Sequence, residues 1–296
     1  MSLELGNATV ISEIERIRMV GSAFHKTGRP VAFVPLTNGV HAGHIALVRA
    51  AKHIRGAVTV VALQSPHEED LELLRAEGVD IVWDYSTDSL WPHGRRIAVA
   101  PVDAATALEP DLSEYLSLYL ALILTLSPTD VLLGEKDYEL LLAIHHAVQD
   151  FHLGVRVQGV PAVRMPDGVV MSLRNTSVPA GSRDQAAALS AALTAGAHAA
   201  EAGAEKVREV AAEVLRAAGV EPEYLEVRGR DLGTPPEEGD ARLLVAATIG
   251  GVRLIDNVGL PLGIGFNNIE EHEAKAELER EQQRAQGTAS QQSSED

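Results

Sequence analysis

The sequence contains no cysteine among its 296 residues. This absence excludes disulfide bonds, thiolate metal ligands and cysteine nucleophiles, and it agrees with a reducing compartment. No apolar run approaches the roughly 20 residues that a membrane-spanning helix needs, and no basic stretch followed by a hydrophobic one stands near the N-terminus. We therefore expect a cytoplasmic protein that does not interact with membranes.

Basic and aromatic residues are both scarce. The chain has 25 Lys and Arg against 42 Asp and Glu, which gives a formal charge of −17. Sequence-independent affinity for nucleic acids depends on Lys and Arg that neutralise phosphates, so we expect no nucleic-acid partner. A nucleotide site is still compatible with this charge, because it needs only a few local cations and a helix N-terminus. Only 4% of the residues are aromatic, so Ala, Val, Leu and Ile must build the core.

Strand and helix patterns alternate through the first half of the chain. Such alternation predicts a parallel sheet with helical crossovers, and most polar clusters follow directly after a strand. Asp167-Gly168 predicts a tight turn between two β-like runs. The predicted strands are 31–35, 58–63, 79–83, 130–133 and 155–160, and the predicted helices are 45–52, 67–77 and 112–126.

The length of the chain exceeds that of a typical single domain. We predict a Rossmann-like nucleotide-binding domain over residues 1–178 and a smaller α+β domain over residues 179–265. The second domain would combine an Ala-rich helical region, residues 183–217, with short strands around Pro235-Pro236. Residues 267–296 contain eight acidic and three basic side chains, so we interpret residues 266–296 as a frayed helix or a disordered tail.

His41 and His44 flank Gly43 at a predicted strand-to-helix transition. Two imidazoles could therefore contact an anion on the helix N-terminus, while the glycine allows close approach. The alternatives are a pair of capping or surface histidines, or a metal pair, although no third ligand is evident nearby. From the pattern alone, phosphate binding and these alternatives remain open.

Two further polar clusters are predicted near the same edge of the sheet. Gly134–Tyr138 follows a predicted strand, and Met171–Asn175 follows the tight turn. Taken singly, Lys136 could be a surface lysine paired with a neighbouring carboxylate, and Arg174 could cap main-chain carbonyls. Three clusters together favour a shared anion-binding site.

These segments, in this order, resemble the motifs of the pantothenate synthetase (pantoate–β-alanine ligase) family. The resemblance covers roughly residues 20–262, and several ordered motifs are more specific than a single His-x-Gly-His. The matching segments are Val34–His44, Gly134–Tyr138, Gly159–Pro161, Ser172–Asn175 and Leu254–Asn257.

Membership of this family implies a Rossmann-like, doubly wound parallel sheet of the HIGH-motif nucleotidyltransferase type with a smaller α+β C-terminal domain. It also implies an ATP-dependent ligase that forms a carbon–nitrogen bond. Pantoate would react with ATP to form an acyl-adenylate and pyrophosphate, and β-alanine would then displace AMP. The resemblance further implies Mg²⁺ on the phosphates, with ligands that the sequence leaves unknown, and a homodimer.

The resemblance assigns roles to the residues that occupy the family's ATP positions. His41 and His44 would contact phosphates, with Gly43 between them. Lys136 and Arg174 would neutralise the leaving pyrophosphate, and Ser172 would hydrogen-bond a phosphate oxygen. The remaining positions would hold the ribose, through Gly134 and Asp137, and the adenine, through main-chain groups of Val163 and Met171.

Departures from the family pattern concentrate on the acid-binding side. The family's Thr-Met-Gly-Ala segment is here Leu36–Gly39, so Thr37 and Asn38 occupy the floor of the site. About ten residues of a covering loop are missing after Gln64, which is the one stand-in for a pantoate-binding glutamine. A second such glutamine is replaced by Leu140. Since sites that bind a substrate through such hydrogen bonds discriminate strongly, these changes indicate a divergent paralogue for a related small acid and amine.

Two other functions remain as alternatives. A paralogue that has lost its acid site could be a non-catalytic protein that binds nucleotides or partners. A nucleotidyltransferase would instead transfer AMP or CMP to a phosphorylated substrate. His145 and His146, on the helix that follows Lys136, could add polar groups to the site, with solvent-facing helix residues as the favoured alternative.

Overall fold

The computed structural model describes residues 5–102 and 107–264. Strands and helices alternate through its first half. The strands there are β1 (Thr9–Ile11), β2 (Val31–Pro35), β3 (Val58–Gln64), β4 (Ile81–Tyr85), β5 (Asp130–Gly134) and β6 (Arg156–Val160). The helices are α1 (Ile14–Lys26), α2 (Ala42–Lys52), α3 (Glu68–Ala76), α4 (Thr87–Leu90), α5 (Leu112–Leu126) and α6 (Tyr138–Asp150).

The six strands form one sheet in the order β1-β4-β3-β2-β5-β6. All five strand pairs are parallel. From β2 the chain builds outward through β3 and β4 on one side, and through β5 and β6 on the other. The strand order therefore reverses between β2 and β5, which is where open α/β sheets bind ligands.

Helices cover both faces of this sheet, because side chains alternate between the faces along each strand. On one face, Phe33 and Val131 pack with the buried leucines of α5. On the other face, Val34 and Leu132 pack with Leu47 of α2. The predicted Rossmann-like doubly wound fold is confirmed.

Most predicted elements agree with the observed ones, but α2 begins three residues earlier than predicted, α4 was not predicted, and three further differences stand out. Strand β4 begins at Ile81, two residues later than predicted. The residue before it, Asp80, accepts hydrogen bonds through its carboxylate from the main-chain N–H groups of Gly6 and Thr59, at 2.7 and 2.8 Å. The short β1 and the amphipathic α1 were not predicted. The turn at Asp167-Gly168 is present, but the runs beside it form one isolated bridge instead of two strands.

The second half contains two further helices and a second sheet. The Ala-rich region forms α7 (Arg183–His198) and α8 (Ala204–Ala217). Strands β7 (Tyr224–Gly229), β8 (Gly239–Ile249) and β9 (Val252–Leu262) form a three-stranded sheet in that order. Both β8 and β9 are 11 residues long, so the prediction of only short strands in this region was wrong.

Main-chain contacts divide the chain into two compact units. One comprises the residues up to Ser190 together with Ala246–Asp256, and the other comprises Ala191–Val245 and the residues from Asn257 onward. The domain boundaries proposed from the sequence remain a prediction. The predicted tail, residues 266–296, lies outside the described residues. Among the described residues, no helix is long and apolar enough to cross a membrane.

Candidate active site

Two of the predicted motifs lie at the point where the strand order reverses. His41 and His44 follow the carboxyl end of β2, and Lys136 and Asp137 follow the carboxyl end of the adjacent β5. In parallel sheets these ends meet at one edge. The sheet topology therefore brings together two segments that are about 90 residues apart in the sequence.

The His41–His44 turn forms the N-terminus of α2. The Nδ1 atom of His41 accepts a hydrogen bond from the main-chain N–H of Gly43 at 3.1 Å and so caps the helix. The His41 and His44 rings stack with their centroids 3.7 Å apart. Because α2 is 11 residues long and starts here, its free N–H groups and positive dipole end point toward the predicted phosphate position.

The hydrogen bonds of the two rings imply opposite tautomers. Since Nδ1 of His41 accepts a hydrogen bond, the proton of the neutral ring must lie on Nε2. The Nδ1 atom of His44 lies 3.1 Å from the Gly39 carbonyl oxygen, which can only accept, so here Nδ1 carries the proton. A neutral His41 can thus donate to an anion from Nε2, whereas His44 can do so only after taking up a second proton.

Electrostatics keep both rings neutral near pH 7. Burial lowers the pKa of His41, and the charge of Lys136 lowers it further, while Asp137 opposes this. Burial lowers the pKa of His44 to about 4, with a further contribution from His41. Lys136 and Asp137 act on both imidazoles because the end of β5 lies beside the end of β2.

Lys136 lies in a 3₁₀ turn, Glu135–Asp137, between β5 and α6. Its ammonium group lies 3.0 Å from a carboxylate oxygen of Asp137, as the structural alternative for this residue predicts. However, the Lys136 side chain is only 17% exposed, and it lines a cleft instead of the outer surface. Asp137 is 57% exposed.

Ser172 and Arg174 line the same cleft as Lys136. Ser172 Oγ accepts a hydrogen bond from the main-chain N–H of Arg174 at 3.2 Å and so starts the 3₁₀ turn Leu173–Ser177. The Arg174 guanidinium lies at the limit of hydrogen-bonding distance, 3.5 Å, from the carbonyl oxygen of Arg253, and its side chain is exposed. Lys136, Ser172 and Arg174, which the sequence predicts to act together, thus line one small cleft.

Two glycines allow the 171–174 segment to pack on the histidine turn. Gly39 has a φ of +60°, and a Cβ there would lie 2.8 Å from Leu173. A Cβ on Gly43 would lie 2.8 Å from the His41 ring and 3.9 Å from the Met171 Cβ. Larger residues at either position would displace the groups predicted to bind phosphate.

A buried ion pair anchors the segment that carries Ser172 and Arg174. The Arg164 guanidinium donates two hydrogen bonds to Asp256, at 2.6 and 3.0 Å, and Asp256 is only 3% exposed. The main-chain N–H of Met171 donates to the carbonyl of Val163 at 2.8 Å, so the two predicted adenine positions are neighbours. The sequence analysis missed Arg164, although Asp256 belongs to the Leu254–Asn257 motif that it identified.

Asp70 is a second residue that the sequence analysis missed. One of its carboxylate oxygens accepts the main-chain N–H of Val40 at 2.7 Å, and the other accepts that of His67 at 3.0 Å. Asp70 is buried at the third position of α3. It therefore fixes the loop before His41 to the N-terminus of α3, and the signal in the sequence was an acidic residue in the first turn of a helix.

The predicted acid-side residues are only partly brought together. The Thr37 hydroxyl donates to the Asn38 side chain at 2.9 Å, and the Gln64 main-chain N–H donates to the Thr37 carbonyl at 3.1 Å. Gln64 and Thr37 therefore adjoin at the ends of β3 and β2. Leu140 is half-buried on α6 at the border of the apolar cluster under the sheet.

For three other candidates, the described part of the chain gives no contact with the residues of the cleft. Gly134 ends β5 with open space around it, so it could lie against a ligand. His145 and His146 are exposed on α6, as the solvent-facing alternative predicts. Among the described residues, no group of three His, Asp or Glu side chains could hold a metal ion.

Comparison with known proteins identifies the family of the chain. The family model described as pantoate-beta-alanine ligase matches residues 9–259. The chain belongs to this family. The resemblance and the ligase class predicted from the motifs are thereby confirmed.

Individual members of this family are similar to the chain over most of its length. The pantothenate synthetase of Corynebacterium jeikeium is 42% identical, over 92% of this chain and 96% of its own length. That of Mycolicibacterium vanbaalenii is 40% identical, over 88% and 90%. The structure of pantothenate synthetase from Thermus thermophilus matches with a TM-score of 0.74 at 28% identity, covering 84% of this chain and 98% of its own.

Proposed function

We propose that the protein activates a small carboxylic acid with ATP and transfers the acyl group to a small amine. The observation that carries this proposal is the convergence of Lys136, Ser172 and Arg174 on one cleft beside the N-terminus of α2. Cations and main-chain N–H groups in this arrangement match a polyphosphate. Family membership supports a ligase reaction for the protein.

In the first step, a carboxylate oxygen of the acid attacks the α-phosphorus of ATP and pyrophosphate leaves. This step needs alignment and stabilisation of negative charge, but no covalent nucleophile from the protein. We assign Lys136 and Arg174 to the leaving pyrophosphate and Ser172 to a phosphate oxygen. His41 donates from Nε2 in its neutral form, and His44 contributes a donor once a phosphate has raised its pKa.

In the second step, the amine attacks the acyl carbon, the bond to AMP breaks, and the amine loses a proton. Both steps use the same nucleotide position. We place the ribose against Gly134 and Asp137, and the adenine against main-chain groups of Val163 and Met171. Gly43 allows the phosphates to approach the helix N-terminus closely.

Mg²⁺ fits this site as a companion of the phosphates. It usually keeps several waters and binds through substrate phosphates with one or two carboxylates, so it does not need a protein cage. When bound, the ion would neutralise charge on the leaving pyrophosphate.

Pantoate and β-alanine are the first acid and amine to test, because the relatives above are named pantothenate synthetases. We propose a related small acid as the alternative, since Leu140 and Thr37 lack the groups that the family resemblance predicts there. We also propose a homodimer, from the resemblance, and the cytoplasmic location that the sequence predicts.

Acid-dependent exchange of pyrophosphate into ATP tests this function directly. A panel of small carboxylic acids that includes pantoate should contain at least one that supports exchange, and mass spectrometry should then detect the amide once the amine is added. If ATP binds while no acid in a broad panel supports exchange, the protein is a non-catalytic paralogue. AMP transfer to a phosphorylated acceptor without any amine would identify a nucleotidyltransferase instead.

A further inference from the structure

Tyr85, Tyr115 and Tyr119 have no role in the proposed function, and Tyr85 contacts the segment that is predicted to form the acid-binding floor. Tyr85 ends β4, and its register partner in the sheet is Gln64, the last residue of β3. The Tyr85 hydroxyl donates to the main-chain carbonyl of Leu36 at 3.0 Å. Leu36 directly precedes Thr37, so Tyr85 lies beside the two residues predicted to form the acid-binding floor.

Tyr115 and Tyr119 lie on α5, four residues apart and therefore on the same face of the helix. Both are half-buried. Tyr119 packs against the apolar cluster that contains Tyr85, and Leu140 borders the same cluster. Tyr119 and Leu140 thus border the same apolar cluster on this face of the sheet.

The electrostatics of the tyrosines show that they lie close to one another and to the nucleotide side. Burial raises the pKa of Tyr119, and the charges of Asp137, Tyr85 and Tyr115 raise it further. Burial also raises the pKa of Tyr85, with a smaller contribution from Tyr115. Because Tyr85 and Tyr119 therefore keep their protons at neutral pH, they can act as neutral hydrogen-bond donors.

The three tyrosine hydroxyls differ in their hydrogen bonding. That of Tyr85 is bonded to Leu36, but those of Tyr115 and Tyr119 have no hydrogen-bond partner within residues 5–102 and 107–264. Half-buried phenols normally bond to a polar group or to water. The hydroxyls of Tyr115 and Tyr119 can therefore still donate to a ligand.

We propose that Tyr115 and Tyr119 determine the acid specificity of the enzyme, by donating hydrogen bonds to an oxygen substituent of a small carboxylic acid. The proposal rests on the ligase function above. The phenols replace the donors that Leu140 and the shortened loop no longer supply. The acid should therefore carry a hydroxyl or oxo group in addition to its reacting carboxylate.

Tyr119→Phe and Tyr115→Phe test this proposal, because each removes one hydroxyl and leaves the ring in place. Exchange should be measured with the best acid of the panel and with its analogue that lacks the oxygen substituent. For Tyr119→Phe we expect the KM for the acid to rise about 10-fold, with the KM for ATP and the Tm unchanged. The analogue should be used equally poorly by the variant and the wild type. Tyr224→Phe, in the second compact unit, is the matched control and should change neither KM.

The outcomes separate this proposal from the proposed function. If the wild type supports exchange and both variants keep its acid KM, the specificity proposal is wrong and the ligase function stands. Equal loss of affinity for acid and ATP would also overturn it, because that pattern indicates a general structural role. If no acid supports exchange, the binding of each acid of the panel should be measured in the presence of a non-hydrolysable ATP analogue. Weaker binding of an acid by Tyr119→Phe than by the wild type supports the proposal. Equal binding by the two proteins, or no binding by either, overturns it.

Discussion

The nucleotide side and the acid side of this cleft differ in how their side chains are held. On the proposed nucleotide side, main-chain contacts hold several groups: Gly43 is bonded to His41, the carbonyl of Gly39 to His44, and Ser172 to the N–H of Arg174. On the proposed acid side, Leu140 and Tyr119 border an apolar cluster to which α5 and α6 contribute. The geometry of the first side depends on the backbone, and that of the second depends on the identity of individual side chains.

This difference explains why one side can diverge while the other keeps its chemistry. A substitution at Gly43 or Gly39 would create a steric clash, because a Cβ at either position would lie 2.8 Å from a neighbouring side chain. A change at Leu140 or Tyr119 alters only hydrogen bonding and volume in a half-buried position. Substrate choice can therefore change on the acid side without disturbing activation by ATP.

Lys136→Ala should produce the largest effect and would test the nucleotide side most directly. Removal of a preorganised group that stabilises transition-state charge typically lowers the rate by about 10²–10³-fold. We expect such a loss in ATP–pyrophosphate exchange, with little change in the free energy of unfolding. Lys206→Ala, an exposed lysine of α8, is the matched control. If exchange persists while the Tm falls, Lys136 has only a structural role.

Arg164→Ala should be the most destabilising of these changes. It leaves the Asp256 carboxylate buried without its guanidinium partner, which costs about 3 kcal/mol of unfolding free energy. Exchange activity should also fall, because the ion pair anchors the segment that carries Ser172 and Arg174. Chemical denaturation measures the first effect, and Arg183→Ala, whose ion pair with Asp167 is exposed, is the control. Equal stability losses in the two variants would contradict the anchoring role.

The pH dependence of stability should report on His44. Its pKa is lowered from 6.5 to about 4 in the folded protein, so the unfolded chain binds the proton more tightly between these values. The contribution of His44 to stability is therefore fully present above pH 6.5 and is lost as the pH falls toward 4, by as much as about 3 kcal/mol. We expect the unfolding free energy, measured by denaturation at several pH values, to fall more steeply with decreasing pH over this window in the wild type than in His44→Gln. If the unfolding free energies of the two proteins change equally with pH, the His44 ring is not held neutral in the folded protein.

The sequence predicted the parallel sheet because each strand is a continuous apolar run, and it predicted the nucleotide side because its residues occur as short contiguous motifs. The start of β4 was predicted two residues too early because Asp80 uses its side chain for hydrogen bonds, which an apolar pattern does not reveal. Arg164 was missed because its partner, Asp256, is 92 residues away. Tyr119 was missed because its proximity to Asp137 depends on how α5 packs on the sheet.

Leu140→Gln should have the smallest effect and would sharpen the comparison most. It introduces an amide on the acid side at the position of the family's second pantoate-binding glutamine. One new hydrogen bond is worth about 1 kcal/mol, so the KM for pantoate should fall about fivefold while the KM for ATP stays constant. His145→Gln, on the exposed face of the same helix, is the matched control. A gain for pantoate confined to Leu140→Gln would show that acid choice depends on a few side chains above an unchanged nucleotide site. A change in the KM for ATP would show that the two sides are coupled.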